Sequence, residues 1–116
     1  MNAIELAETQ GHADCEHIHG DNGTSWGCLQ TQYETFALWA REFLGYVPSN
    51  TYGNQRYVVL MRVQAWLDKG RTAREIALLY NHPASGGHTC GRGYNEKVGV
   101  HWDSCAYAQK VLALLP

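Results

Sequence analysis

The sequence lacks an excess of charge of either sign and has no long apolar run. It has 9 Lys and Arg against 11 Asp and Glu in 116 residues, so it has no basic excess for nucleic acid or an anionic membrane. No apolar run approaches the roughly 18 residues needed to cross a bilayer. With 45% apolar residues, 11% aromatic residues and no internal repeat, it is not a disordered or low-complexity chain. We expect one globular domain over 1–116 that acts as a monomer, with no membrane span and no nucleic-acid partner.

Signal-peptide features are also lacking at the start of the chain. It opens Met-Asn-Ala-Ile-Glu-Leu-Ala-Glu, with no basic segment and no long apolar segment after it. These residues already have helical character. Because the cysteines described next favour an oxidising compartment, we interpret the sequence as a domain excised from a longer exported protein. The predicted location is the cell envelope or the extracellular space.

Four cysteines are present, Cys15, Cys28, Cys90 and Cys105. An even number in so short a chain is typical of disulfide-bonded proteins. Three pairings are possible. We favour Cys15–Cys28 and Cys90–Cys105, because each pair closes a short loop within its own glycine-rich segment. Each bond would then contribute about 3 kcal/mol to stability, although free buried thiols are an alternative.

A metal site is the competing interpretation of the cysteines. Histidines and cysteines form two groups, one of His12, Cys15, His17 and His19, the other of His88 and Cys90. Neither group has the paired C-x₂-C or H-x₃₋₅-H spacing of a zinc site. The spacing therefore favours disulfides and predicts no metal or cofactor. A small zinc-stabilised interaction domain remains the alternative.

Apolar periodicity predicts a mainly α protein with two glycine-rich segments. Three of the five predicted helices cover 2–10, 54–69 and 105–115, the last capped by Ser104. The other two begin at capping boxes: one runs from Thr31-Gln-Tyr-Glu34 to Gly45, and the other from Thr72-Ala-Arg-Glu75 to Pro83. Residues 11–27 are predicted as a loop with a small hairpin around Asp-Asn-Gly at 21–23. Residues 82–102 are predicted to form a long loop, either functional or held by Cys90.

Glu8 is a candidate acid because it ends the first predicted helix directly before a loop. A carboxyl group placed there can face a cleft, and partly apolar surroundings raise the pKa of such a group until it can act as a general acid near neutral pH. The alternative is a solvated glutamate at a helix end. Spacing alone does not choose Glu8 over Glu5, one turn earlier.

Four short motifs select Glu8. In chain order they are Glu8-Thr-Gln-Gly11, Gly27-Cys-Leu-Gln30, Leu79-Tyr-Asn-His-Pro83 and Cys105-Ala-Tyr-Ala-Gln-Lys-Val-Leu112. The series resembles the lysozyme-like superfamily, and specifically the catalytic domains of soluble lytic transglycosylases. Those domains show Glu-Ser-Gly, Gly-Leu-Met-Gln, Ala-Tyr-Asn-Ala-Gly, and Asn-Tyr-Val before an apolar helix. This chain differs in Thr9, in Cys28 and in His82-Pro83, which stand where Ser, an apolar residue, and a small residue with Gly are usual.

The resemblance implies a helical bundle in which a small β-hairpin or loop lobe flanks a substrate cleft. It implies peptidoglycan glycan strands as the partner and Glu8 as the catalytic residue. It also implies that Gln30 and the backbone from Gly27 to Leu29 hydrogen-bond the N-acetyl groups of the sugars. By the same resemblance, Tyr80 and Asn81 bound the cleft and Tyr107 holds Glu8 in place. Trp26 suits stacking on a sugar ring, because the C–H face of a sugar fits an indole.

The number of carboxylates decides the mechanism. Ser25 stands where animal-type lysozymes of the superfamily have their second carboxylate, although Asp14, Glu16 and Asp21 lie in the same loop. The resulting prediction is a site with one carboxylate, as in lytic transglycosylases. Glu8 then acts first as acid and then as base on the N-acetylmuramic acid to N-acetylglucosamine bond, giving 1,6-anhydromuramyl products. The alternatives are a lysozyme-type muramidase that hydrolyses this bond and a non-catalytic module that binds peptidoglycan or chitooligosaccharides.

Overall fold

Five helices and two small antiparallel sheets make up the described part of the chain. The computed structural model describes residues 2–9, 19–20, 25–27, 29–81, 86–96 and 99–115. The helices are α1 (Asn2–Thr9), α2 (Tyr33–Leu44), α3 (Tyr52–Asp68), α4 (Ala73–Asn81) and α5 (Ser104–Ala113). The strands are β1 (His19–Gly20), β2 (Ser25–Trp26), β3 (Thr31–Gln32), β4 (Arg92–Asn95) and β5 (Val100–Asp103). The mainly α prediction is confirmed, and each predicted helix is present. None of the described helices is long and apolar enough to span a membrane.

Glycine and a capping box set the helix ends around α2, α3 and α4. Gly45 and Gly70 have φ of 78° and 79°, a left-handed conformation in which glycine ends a helix without steric cost. The capping box before α4 is formed: Glu75 N donates to Thr72 Oγ1 at 3.2 Å, and Thr72 N donates to Glu75 Oε1 at 2.9 Å. The Thr72 N–H, followed by the Arg71 guanidinium, lowers the pKa of the Glu75 carboxyl.

Two of the predicted caps are wrong. Gln32, not Thr31, precedes α2, and its side chain makes no capping hydrogen bond. The Thr31 side chain is buried and its hydroxyl pairs with that of Tyr80 instead. At α5, Asp103 is the cap, with Oδ1 accepting from Ala106 N at 3.0 Å. Ser104 is buried and bonds the backbone of Gly91.

Two hairpins flank the helices. The strands β1 and β2 pair antiparallel, as the predicted hairpin requires, and β3 extends this sheet. The predicted turn at 21–23 lies outside the described residues. The loop predicted over 82–102 was wrong in part, because it contains the antiparallel pair β4 and β5. A Cβ at Gly93 would lie 2.8 Å from the ring of Trp102. In this hairpin the Trp102 indole packs over Gly93. Strands are predicted from alternating apolar residues, and this arrangement does not show that alternation.

The core lies between the helices, and α1 runs antiparallel to α5 within it. Ile4 lines the same apolar groove as Val111, whereas Glu8, one turn later on α1, faces Tyr107, one turn earlier on α5. Buried residues come from every helix and, in Leu29, from the turn before β3: Ala3, Ile4, Ala7, Leu29, Phe36, Trp39, Ala40, Val58, Val59, Val63, Ile76, Ala77, Leu78, Ala108 and Val111. This packing places the C-terminal end of α1 beside the N-terminal half of α5.

The predicted disulfide between Cys90 and Cys105 is present. Cys90 and Cys105 are bonded with a Cα–Cα separation of 4.9 Å, which is within the normal range. The bond joins the segment before β4 to the first turn of α5. It also removes Cys90 from the His88 and Cys90 group as a thiolate ligand for zinc. Cys15 and Cys28 lie outside the described residues, as do His12 and His17.

Candidate functional site

The carboxyl group of Glu8 faces the hydroxyl group of Tyr107. Glu8 is half-buried near the end of α1, and the hydroxyl oxygen of Tyr107 is fully buried. Burial raises the pKa of Tyr107 far above its usual range, and the nearby Glu8 carboxylate and then Tyr80 raise it further. The phenol is therefore neutral over the whole range in which enzymes work, and it keeps its proton available for Glu8.

The contact between these two groups is electrostatic, with loose hydrogen-bond geometry. Glu8 acts on the pKa of Tyr107 both by its charge and as a side-chain hydrogen-bond partner. The Tyr107 hydroxyl nevertheless has no partner of standard hydrogen-bond geometry among the described residues. The two groups therefore face each other without a fully formed hydrogen bond.

Tyr80 connects α4 to the loop that carries the second motif. Its hydroxyl donates to the backbone carbonyl oxygen of Leu29 and lies 3.1 Å from Thr31 Oγ1. A phenol has one proton, so Thr31 is the donor in the second bond. The side chain of Leu29 is fully buried in the core. Tyr80 and Leu29 together hold this loop against the helices.

A tight turn at Gly27 shapes the same loop. Gly27 has φ of 76°, a left-handed backbone conformation that favours glycine, and a Cβ there would lie 2.6 Å from Gln55 Oε1. The carbonyl of Gly27 accepts from Gln30 N at 3.1 Å and from Gln30 Nε2 at 2.8 Å. The Gln30 amide nitrogen, predicted to bind sugar, is thus turned toward the loop itself.

Asn81 supplies a buried acceptor beside Tyr80, at the end of α4. Its Oδ1 atom is buried and has no hydrogen-bond partner among the described residues. Buried polar atoms are nearly always hydrogen-bonded in folded proteins. An acceptor in this state is suited to a ligand that donates, such as the N–H of an N-acetyl group.

The ring of Tyr80 packs against an aromatic cluster of Trp39, Trp66 and Phe43. The Trp39 ring lies 6.3 Å from that of Tyr80 and 5.9 Å from that of Trp66, between ring centroids. The Arg62 guanidinium lies over Trp39 at 5.4 Å and over Phe43 at 4.7 Å. The cluster stabilises the α2–α3 pair and limits movement of the Tyr80 ring.

The structure connects Glu8 and Tyr80 to Tyr107 by electrostatic interactions and Tyr80 to Leu29 by a hydrogen bond, and Asn81 follows Tyr80 at the end of α4. Ser25 and Trp26 lie in β2, but their side chains are outside the described part, as are Asp14, Glu16 and Asp21. Thr31 and Gln55 were missed as contributors. Thr31 is a polar residue directly after the motif Gly27-Cys-Leu-Gln30, which was the available signal. Its capping-box spacing to Glu34 favoured a helix cap instead. No short motif surrounds Gln55, so its packing under Gly27 had no signal in the sequence.

No group of three or more His, Cys, Asp or Glu residues that could hold a metal ion occurs within the described ranges. Comparison with protein-family models, with curated proteins and with solved structures gives no significant match to this chain.

Proposed function

We propose that this chain is a peptidoglycan-cleaving lytic transglycosylase with a lysozyme-like arrangement of helices and hairpins around its cleft. The observation that carries the proposal is the placement of Glu8 against Tyr107, next to the Tyr80 to Leu29 hydrogen bond. Four motifs that are far apart in the sequence contribute to this one place. A carboxyl group beside a neutral phenol supports a glycosidase that uses one carboxylate and the substrate's own acetamido group.

Glu8 acts first as a general acid. Its protonated carboxyl donates to the oxygen that links N-acetylmuramic acid to N-acetylglucosamine, and the bond from that oxygen to C1 breaks. The oxygen of the substrate's own 2-acetamido group then bonds to C1 and stabilises the oxocarbenium-like centre. This assistance removes the need for a second carboxylate.

Glu8 then acts as a general base. Its carboxylate takes the proton from the muramyl 6-hydroxyl, O6 bonds to C1, and the acetamido oxygen leaves. The product has a 1,6-anhydro ring, Glu8 is protonated again, and no water is consumed. A hydrogen bond donated by the Tyr107 hydroxyl, which keeps its proton, stabilises the carboxylate between the two steps, because a hydrogen bond to the charged form favours that form.

The neighbouring groups hold the sugars. Asn81 Oδ1, buried and without a partner among the described residues, accepts from an N-acetyl N–H. Tyr80 keeps the Gly27 to Gln30 loop in place at one wall of the cleft. The Cys90–Cys105 bond is consistent with an oxidising compartment such as the cell envelope, where the glycan strands are found.

Release of soluble muropeptides from purified sacculi tests the proposal. The wild-type protein is expected to release them, and Glu8→Gln is expected to lose at least about 1,000-fold in rate, because it keeps the shape of the carboxyl group but cannot shuttle the proton. The matched control is Glu34→Gln, the same change at an exposed residue in the first turn of α2. Equal release by Glu8→Gln and wild type would overturn the proposal. Sacculus binding without any release would assign the chain to the binding modules.

A further inference from the structure

One face of the β4–β5 hairpin is exposed along its whole length. Arg92 and Tyr94 on β4 pair across the ladder with Asp103 and His101 on β5, and all four are exposed. Residues at alternate positions share a face of a strand, so these side chains form one surface, here called the hairpin face. Tyr94 is 53% exposed, and its ring centroid lies 4.8 Å from that of His101.

The opposite face of the same hairpin is half-buried at Gly93, Val100 and Trp102. Gly93 pairs with Trp102, and the indole lies so close to Gly93 that a Cβ would approach it to 2.8 Å. Ser104 is joined to Gly91 at the base of the hairpin by two side-chain hydrogen bonds and one backbone hydrogen bond, and the Cys90–Cys105 disulfide lies beside them. The hairpin face is thus displayed outward from a base held at several points.

The hairpin lies at the end of α5 that carries Tyr107. Asp103 is both the last residue of β5 and the cap of α5, and Tyr107 follows one turn later. Asp103 and Tyr107 are about 6 Å apart along the helix, and His101 and Asp103 are about 7 Å apart along the strand. The ring pair therefore lies within about 13 Å of Tyr107 along the chain path, close enough for one glycan strand to reach both.

The composition of the hairpin face points to one class of ligand. Arg92 and Asp103 balance each other in charge, so the surface lacks the positive excess that nucleic acid requires. An apolar partner would strip water from both charged groups without compensation. A sugar ring suits the surface, because its C–H face packs against an aromatic ring while its hydroxyl and amide groups bond to charged side chains.

We propose that the hairpin face is a glycan-binding platform that holds an uncharged N-acetylated sugar of the same strand that enters the Glu8 site. This inference rests on the proposed function and adds a subsite at a distance from the reacting bond. Tyr94 and His101 provide the stacking surface. Arg92 and Asp103 provide hydrogen bonds at its edge.

Binding of chitohexaose to the Glu8→Gln protein, in which cleavage is blocked, tests the platform. Tyr94→Ala in that background is expected to weaken binding about three- to tenfold. The control is Tyr57→Ala, since Tyr57 on α3 is 55% exposed and is expected to leave affinity unchanged. The NMR signals of the Tyr94 and His101 rings are expected to shift when chitohexaose is added to the Glu8→Gln protein. This measurement needs no substitution in the hairpin.

Unchanged affinity of Tyr94→Ala, or ring signals that stay in place, would overturn the platform. Either result leaves the proposed function intact if wild type releases muropeptides and Glu8→Gln does not. Conversely, if wild type releases no muropeptides, the proposed function is overturned. A loss of chitohexaose binding in Tyr94→Ala but not in Tyr57→Ala would then still support the platform. Absence of any chitohexaose binding by the Glu8→Gln protein with an intact hairpin overturns the platform.

Discussion

The hydroxyl group of Tyr107 and the carboxyl group of Glu8 face each other between α5 and α1, and the charge of Glu8 helps to keep the phenol protonated. The same phenol can donate a hydrogen bond to the carboxylate that Glu8 becomes once it has given up its proton. The antiparallel arrangement of α1 and α5 produces this relationship. Ile4 and Val111, each one helical turn away from Glu8 and Tyr107 respectively, line one apolar groove.

Replacing Tyr107 with Phe should slow muropeptide release about 10- to 100-fold, because it removes a donor to a charged group. The fold should persist, since the aromatic ring still fills its place. Tyr33→Phe, at an exposed position on α2, is the matched control and should retain full activity. The measurement is the initial rate of release from sacculi across pH, and a Tyr107→Phe rate and pH profile equal to those of wild type would contradict the positioning role.

Stability should fall above about pH 10 because of Tyr107. The unfolded chain releases this phenolic proton near its usual pKa of about 10, while the folded chain, whose pKa is raised, retains it. Unfolding is therefore favoured by about 1.4 kcal/mol for each pH unit above about 10. Urea unfolding of wild type and Tyr107→Phe between about pH 9 and 11.5 tests this, and the variant should show a shallower decline. Parallel curves would contradict the raised pKa.

Tyr80→Phe should lower the free energy of unfolding by about 1–3 kcal/mol, because it leaves the carbonyl of Leu29 and the hydroxyl of Thr31 without their partner. Chemical denaturation measures the change. A double-mutant cycle with Thr31→Val isolates the bond between the two hydroxyls, and the coupling should be positive. Strict additivity of the two changes would show that this bond does not exist in solution.

Replacing Cys90 and Cys105 together with Ala should cost about 3 kcal/mol, the value expected for a loop of 15 residues. Activity should also fall, because Cys105 lies in the turn of α5 that precedes Tyr107. Thermal unfolding and the release assay measure the two effects. A melting temperature unchanged by the double substitution would contradict the bond.

Thr72→Ala should destabilise the protein by about 1 kcal/mol through loss of the cap of α4. The matched comparison is Thr51→Ala, which removes the side-chain cap of α3 and should cost a similar amount. Urea titrations of both variants measure the changes. No effect in Thr72→Ala would contradict the cap.

Helix positions could be predicted because they depend on local patterns. Gly45 and Gly70 end helices through their own backbone, and the Thr72 capping box closes within four residues. Thr31 has the same spacing to Glu34 as Thr72 has to Glu75, yet a long-range bond to Tyr80 takes its hydroxyl. A local motif does not reveal a competing partner 49 residues away.

The candidate site was only partly accessible from the sequence. Motif order selected Glu8, Tyr80 and Tyr107, but their approach depends on how α1 and α5 pack, which no spacing encodes. The β4–β5 hairpin was not predicted because Gly93 interrupts its apolar alternation and Trp102 fills the gap. The contact of Gln55 with Gly27 likewise arises from tertiary packing alone.

Mass spectrometry of the muropeptides released from sacculi tests the central claim most directly. We expect fragments that end in 1,6-anhydromuramic acid, one water lighter than hydrolysis products, and we expect Glu8→Gln to release none. Fragments with reducing ends would contradict the transglycosylase mechanism and assign the site to a hydrolase. Release that continues unchanged in Glu8→Gln would contradict the role of Glu8 itself.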